Sequence, residues 1–184
     1  VLKDIPVFGI GFRSISLYNK ITESFFTKKL LKFLFELKDI PQSKRVEFIA
    51  ELESKNESKK AGEKLLITLN RLNDIDKATI IGKLFKKTIL GKITFSNFKR
   101  LTHIIDNTYL EDLESLKDNE YLQNINDDIK SNLHQIGLLN QSIKDNREQE
   151  EYIFKNTGNT EIIPATFEYN LNSYGRILIE NGFD

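Results

Sequence analysis

Apolar residues recur at spacings of three and four along most of the chain, and this period predicts a series of amphipathic α-helices. The first predicted helix is capped by Thr22 and ends near Leu37. Its apolar stripe comprises Phe26, Leu30, Phe33, Leu34 and Leu37, and it is widened by Phe25, Leu31 and Phe35. A helix that is apolar around so much of its circumference is typical of the centre of a core.

Two further helices are predicted around a polar connection. Pro41 interrupts the chain, and Ser43 is the predicted N-cap of a second helix that ends near Leu52. The segment 53–60 is polar, which indicates an exposed helix end or connection. The third helix is predicted from a row of apolar positions, namely Ala61, Leu65, Leu69 and Leu72.

The fourth and fifth predicted helices carry stronger boundary signals. Asn73 is the predicted N-cap of the fourth, which ends at Gly91, a residue type common just after helix C-termini. Thr94 is the predicted N-cap of the fifth, whose apolar positions continue to Leu116. At about 23 residues, this helix is long enough to form the spine of the fold.

The pattern changes in the last third of the chain. Asn126 is the predicted N-cap of a helix that ends near Gly137. Two strand-like segments follow, at residues 151–154 and 166–171, and a last helix is predicted to begin at Asn172.

These elements predict a mainly α fold with two parts. Residues 1–118 are expected to form a helical bundle, with an irregular lead-in up to about Leu17 because Pro6, Gly9 and Gly11 interrupt that segment. Residues 119–184 are expected to form a small α+β subdomain.

The net charge of zero conceals an asymmetry along the chain. Up to residue 100, Lys and Arg outnumber Asp and Glu by ten, and after it the acidic residues are in excess by ten. One explanation is structural: the two halves dock on each other, or each half solvates its own surface. The other is functional: a basic face binds an anionic partner, and an acidic face binds a second partner.

The composition indicates a cytoplasmic protein of bacterial origin. The chain has no cysteine, which excludes disulfides and cysteine-ligated metals and fits a reducing compartment. Frequent Lys, Asn and Ile are typical of an AT-rich bacterial genome. The apolar run 7–12 is too short for a transmembrane helix. Because Val1 is first and methionine is absent, the sequence is expected to start inside a longer gene product.

We find no pattern for catalysis, for a cofactor or for a metal. His103 and Asp106 share a helix face, and a hydrogen bond between them on the helix surface is the expected result. The region 86–97 resembles half of a calcium-binding loop, but Lys86 and Leu90 fall where oxygen ligands are required. The sequence therefore predicts a protein that is not an enzyme and that has no cofactor.

The last sixty residues carry a recognisable order of motifs. A helix ends in Ile136-Gly137-Leu138-Leu139, and a strand at Phe167–Leu171 leads directly into Asn172-Ser173-Tyr174-Gly175-Arg176. This order resembles the second half of a winged-helix domain. The remaining helices resemble bacterial helical proteins of no named family, including ones met in phage-defence neighbourhoods.

The resemblance implies that residues 126–140 occupy the position of a DNA recognition helix. The residues expected to contact nucleic acid would then be Lys130, Asn132, His134 and Arg147. Acidic residues surround them, at Asp127, Asp128, Glu148, Glu150 and Glu151, and such residues oppose phosphate binding. A protein-contact or dimerisation module is therefore favoured over a nucleic-acid-binding regulator.

The first helix offers another alternative. Lys28, Lys29 and Lys32 lie beside its broad apolar face, as in a helix that binds an anionic membrane surface. Lysines whose stems cover a core helix give the same pattern, and the core is favoured. The predicted function is a non-catalytic interaction or regulatory module, a component of a bacterial multi-protein, defence-type system that binds a protein partner or itself.

Overall fold

The computed structural model describes residues 20–55, 58–117, 122–158 and 163–183. The predicted irregular lead-in lies outside the described residues. The described part of the chain forms nine helices and two strands: α1 (Lys20–Glu36), α2 (Gln42–Ser54), α3 (Ser58–Arg71), α4 (Asp76–Ile89), α5 (Phe95–Asn107), α6 (Leu110–Glu114), α7 (Asp127–Gln135), β1 (Leu139–Ile143), α8 (Arg147–Thr157), β2 (Phe167–Leu171) and α9 (Ser173–Gly182). The predicted mainly α fold with a small α+β end is confirmed.

The core is centred on α4, which packs closely against α1. At their crossing, a methyl group on Gly82 would lie 2.9 Å from the carbonyl oxygen of Phe33, so only glycine permits this approach. The ring of Phe85 lies 5.6 Å from the rings of Phe33 and Phe48 and 5.0 Å from that of Phe98. This aromatic cluster joins α1, α2, α4 and α5.

Only one side of α1 is buried, contrary to the prediction of a helix enclosed on most sides. Phe33 is fully buried, whereas Phe25, Leu31 and Phe35 are 52%, 59% and 61% exposed. The helices α3 and α4 cover α1 from one direction, so the residues that widened its stripe face away from the core. The helix also begins before Thr22, which is therefore not its cap.

Two predicted helix caps are confirmed. The side chain of Thr94 accepts the N–H of Asn97 at 3.2 Å, and that of Asn126 accepts the N–H of Asp128 at 2.9 Å. Asn172, near which the last helix was predicted to begin, is the N-cap of α9. Each satisfies a main-chain donor that the helix leaves without a partner.

Two other predicted caps are wrong. Pro41 occupies the N-cap position of α2, which places Ser43 inside the first turn. At α4 the N-cap is Ile75, and the side chain of Asn73 instead accepts the ammonium group of Lys77 at 2.7 Å. The predicted end of α4 is correct, because Gly91 follows with a φ of 74°.

The predicted long fifth helix is two helices. Thr108 adopts an extended conformation and separates α5 from α6, while its hydroxyl donates to the carbonyl of Ile104 at 2.6 Å. The apolar spacing continues across the break, so Leu113 and Leu116 are still buried. The single long helix that the periodicity predicted is therefore not present.

The C-terminal sheet is a pair of antiparallel strands, in which Leu139 pairs with Leu171 and Ile143 with Phe167. The predicted strand at residues 166–171 is confirmed as β2, whereas the predicted strand at residues 151–154 is wrong. That segment lies in α8, which forms the connection between β1 and β2.

A single cluster of buried apolar residues extends from α1 to α9. The last helix packs on α4, where the ammonium of Lys83 donates to the carbonyl of Phe183 at 3.1 Å. The division of the chain at residue 118 stays a prediction. None of the helices in the described ranges has the length and apolarity needed to cross a bilayer.

Candidate functional site

The segment from β1 to β2, which we call the wing, projects large apolar side chains into solvent. The side chains of Ile143 and Phe167, paired across the strands, are 68% and 63% exposed. On α8, Tyr152 and Phe154 are 69% and 55% exposed. No residue of α8 is buried.

The ends of α8 are fixed by local hydrogen bonds. The carboxylate of Asp145 accepts the N–H of Arg147 at 3.1 Å, and Asn146 donates to the carbonyl of Pro164 at 3.2 Å. Within α8, Glu150 accepts the N–H of Ile163 at 3.1 Å, which ties the helix to the chain that returns to β2. Gly158 ends the helix with a φ of 70°.

The wing also carries excess negative charge. Glu148 and Glu150 occupy the first turn of α8, where the helix dipole favours carboxylates. The guanidinium of Arg147 lies 2.6 Å from the carboxylate of Asp145 and lowers the pKa of that carboxyl to about 2. The positive charge of Arg147 is therefore paired with the carboxylate of Asp145.

The structure places three of the predicted nucleic-acid contacts on α7. The ammonium of Lys130 pairs with Asp127 at 2.9 Å, and Asn132 is exposed. A ring nitrogen of His134 lies 3.0 Å from the carbonyl oxygen of Leu139, which links α7 to β1. The fourth residue, Arg147, lies at the start of α8, at the other end of β1.

The lysines predicted for membrane contact have different environments. Lys28 lies over the ring of Phe25 at 5.5 Å, and Lys32 pairs with Asp76. Lys29 is 8% exposed, and its ammonium donates to the carbonyl of Asn70 at 3.0 Å. Lys28 and Lys32 are therefore exposed, whereas Lys29 is buried.

Asp106 and His103 have partners other than each other, so the predicted hydrogen bond is wrong. Asp106 pairs with Arg71 on α3, and His103 lies 3.3 Å from the side-chain nitrogen of Asn107. Both residues line a groove between α3 and α5 that the sequence did not indicate. The residues that line the groove follow helical spacing on two separate segments of the sequence, and only the fold brings those segments together.

Comparison of the chain with protein-family models, with curated proteins and with solved structures finds no match.

Proposed function

We propose that this protein is a non-catalytic interaction module whose wing binds a protein partner. The observation that carries the proposal is that no residue of α8 is buried, although Tyr152 and Phe154 are large apolar side chains. A helix of 11 residues is shorter than those that persist alone in water, and no residue of α8 is buried in the core. Docking on a partner would bury its apolar residues and stabilise the helix.

The residue types support the same conclusion. Tyr152, Ile153 and Phe154 are consecutive, so at about 100° per residue they cover more than half of the circumference of α8. Aromatic side chains are enriched at the centres of protein interfaces because they bury much area for few rotatable bonds. Tyr152 and Phe154 are exposed, and Ile153 is half-buried.

The proposal places the partner in a bacterial multi-protein system, in keeping with the resemblance of the remaining helices. It also interprets β1, β2 and α7 as a winged-helix-like unit that contacts protein in the cytoplasm. Two electrostatic observations support protein over nucleic acid as the ligand. The cations of Lys130 and Arg147 already face carboxylates, and further carboxylates precede Tyr152 on α8.

The first experiment maps the partner contact directly. A photo-crosslinking amino acid is placed at Phe154 in the full chain, and a matched probe is placed at Tyr109, which is 70% exposed but lies between α5 and α6. We expect a crosslinked protein at position 154 and not at position 109. Identical products at both positions would contradict the proposal.

The second experiment measures affinity for the partner so identified. Truncation of an aromatic residue at the centre of an interface costs roughly 2 kcal/mol or more, which is about 30-fold in Kd. We expect that loss for Phe154→Ser and little change for Tyr109→Ser. If the two variants bind equally well, the wing is not the interface.

The nucleic-acid alternative is tested with the same full chain. Labelled duplex DNA is titrated at low and physiological salt with the parent and with Lys130→Glu. A winged helix that binds DNA would give an affinity that falls steeply with salt and is reduced by this substitution. We expect weak binding that Lys130→Glu does not change.

A further inference from the structure

Large apolar side chains that are more than half exposed are concentrated on two surfaces of this protein. Ten such side chains lie in the described part of the chain, and seven of them belong either to the wing or to α1. The four on the wing and the three on α1 are, in that order, Ile143, Tyr152, Phe154 and Phe167, and Phe25, Leu31 and Phe35. Exposed apolar residues are usually scattered, so two clusters of them indicate two contact surfaces.

The three exposed apolar residues of α1 lie on one side of the helix. At about 100° per residue, Phe25, Leu31 and Phe35 fall within an arc of about 120°. Lys28 and Lys32 lie inside the same arc and are exposed. We call these five residues the α1 face. The buried residues of α1 lie on the opposite side of the helix, so the core of the chain does not cover this face.

The wing and the segment that contains the α1 face carry charge of opposite sign. Residues 139–171, which form the wing, contain six carboxylates and three cations. Residues 20–39 contain five cations and three carboxylates. The cations lie close to apolar surface, since the ammonium of Lys38 is 3.7 Å from the centre of the Phe35 ring and that of Lys28 is 5.5 Å from the centre of the Phe25 ring. Opposite charges beside matching apolar surfaces favour association and fix its register.

The two surfaces also agree in length. The α1 face extends over the 11 residues from Phe25 to Phe35, and α8 has 11 residues (Arg147–Thr157). At a rise of about 1.5 Å per residue, each is about 16 Å long, so one helix laid along the other covers it from end to end. Both surfaces are exposed within a single chain, so a contact between them joins two copies.

We propose that the wing of one copy of this protein docks on the α1 face of a second copy. This inference rests on the function proposed for the wing and names a second copy of the chain as its partner. The contact covers both exposed apolar surfaces at once and brings the carboxylates of one copy to the lysines of the other. An anionic membrane, by contrast, would cover only the α1 face and would repel the carboxylates of the wing.

Sedimentation velocity of the full chain over about a hundredfold range of concentration measures self-association. We expect the parent to form dimers or larger assemblies as its concentration rises. The wing variant, Tyr152→Gln with Phe154→Gln, and the face variant, Leu31→Gln with Phe35→Gln, should each raise the Kd by about tenfold or more. All four side chains are exposed, so both variants should fold and melt like the parent.

A matched control removes two exposed apolar side chains from other surfaces. Val46 and Ile67 are 58% and 63% exposed, and Val46→Gln with Ile67→Gln should assemble like the parent. A parent that stays monomeric, or a control as defective as the wing and face variants, would overturn the proposal. A face variant that assembles like the parent, beside a wing variant that does not, would show that wing binds wing and would overturn it as well.

Mixing the wing variant with the face variant identifies the two surfaces that meet. Neither variant should assemble alone, but the wing variant keeps an intact α1 face and the face variant keeps an intact wing. Since the contact joins two different surfaces, the mixture should form a complex of one copy of each and grow no further. A mixture that stays monomeric would show that these two surfaces do not bind each other.

A charge reversal tests the electrostatic part of the contact. Lys28→Glu should raise the Kd of self-association by about tenfold, and added salt should weaken the assembly of the parent. Lys44→Glu is the control, because Lys44 lies on α2 and pairs there with Glu47 at 2.8 Å. Equal effects of the two substitutions would contradict the pairing of the wing with the α1 face.

Two further measurements separate this inference from its alternatives. If the chain stays monomeric but cosediments with anionic vesicles, and the face variant does not, the α1 face binds membrane and the inference is wrong. The photo-crosslinking probe at Phe154 should give a product with the mass of two chains. A product with a different protein would overturn this inference and leave the function proposed for the wing intact, whereas no product at all would contradict both.

Discussion

The ammonium group of Lys29, on α1, donates a hydrogen bond to the carbonyl oxygen of Leu72, just beyond the end of α3. It also donates to the carbonyl of Asn70 at 3.0 Å, so one side chain satisfies two acceptors at this helix end. Burial lowers the pKa of Lys29, with Asp74 acting in the opposite direction.

We expect Lys29→Met to lower the free energy of unfolding by roughly 1–2 kcal/mol, because it removes the donor and leaves two carbonyls without it. Lys32→Met is the matched control, since Lys32 forms an ion pair that is about half exposed and should contribute less than about 0.5 kcal/mol. Urea denaturation measures both. Equal effects would show that Lys29 contributes only as a surface charge.

Lys77 should make stability depend on alkaline pH. It is fully buried, and burial lowers its pKa from 10.5, while Asp106, Asp74 and Glu111 act in the opposite direction. Between the folded and unfolded values the unfolded chain binds more protons, so the folded state gains stability as the pH rises toward 10.5. We expect the parent to become more stable relative to Lys77→Met across this window. Urea midpoints of both proteins at neutral and alkaline pH measure the difference, and parallel pH profiles would contradict it.

Phe33 and Phe35 lie two positions apart on α1, and truncation should destabilise the protein at Phe33 but have little effect at Phe35. Phe33 is fully buried against Phe85, whereas Phe35 is 61% exposed. We expect Phe33→Ala to destabilise the protein by about 3–5 kcal/mol, through lost burial and the cavity left behind. Phe35→Ala should change stability by less than about 0.5 kcal/mol. Thermal or urea unfolding that ranked the two in reverse would place the buried face of α1 elsewhere.

The carboxyl of Asp145 should titrate near its pKa of about 2 in a carbon NMR pH series. Its folded pKa lies below the ordinary 3.8, so the ion pair stabilises the fold above that pH and is lost as the pH falls through about 2. In Arg147→Gln the titration midpoint should move up toward 3.8. An unchanged midpoint would show that Arg147 is not the cause and that its charge is available to an external anion.

Gly175 should not tolerate a side chain. A methyl group there would lie 2.4 Å from the carbonyl oxygen of Leu138, a main-chain atom that cannot move aside easily. Gly→Ala in an open helix stabilises by up to about 1 kcal/mol, but the clash should dominate and leave a net loss of about 1–3 kcal/mol. The neighbouring Arg176→Ala is the control, since Arg176 is exposed. Gly175→Ala that unfolds like the control would mean that α9 can move away from Leu138.

The helical part of the fold was predictable because burial imposes a period on the sequence. The caps at Thr94 and Asn126 were predictable as well, since each precedes its helix directly and accepts an N–H two or three residues on. Asn73 failed because a buried neighbour, Lys77, competes for the same side-chain oxygen.

Other elements depend on long-range contacts that leave little local signal. The sequence of β1, Leu-Asn-Gln-Ser-Ile, has weak strand propensity and is a strand because β2 pairs with it. The run Tyr152-Ile153-Phe154 has high strand propensity but lies in α8. The break at Thr108 was not predictable from periodicity because the apolar positions stay in phase across it.

The groove could not be predicted for a related reason. Lys64 and Lys99 are ordinary exposed lysines in the sequence, and their shared position arises only when α3 and α5 pack side by side. Likewise, nothing local distinguishes Thr102 from Thr88 or Thr108. The difference is that the hydroxyls of the latter two have a main-chain acceptor.

The hydrogen bonds of Asn172 join the two ends of the segment that carries α8. Its side chain donates to the carbonyl of Gly137 at 2.8 Å and accepts the N–H of Gly175 at 3.0 Å, which fixes the start of β1 to the start of α9. The chain between them leaves and returns at the same point, so α8 can be replaced, lengthened or removed while the bundle is inherited unchanged. The surface that α8 presents can therefore change without a change in the buried core of the chain.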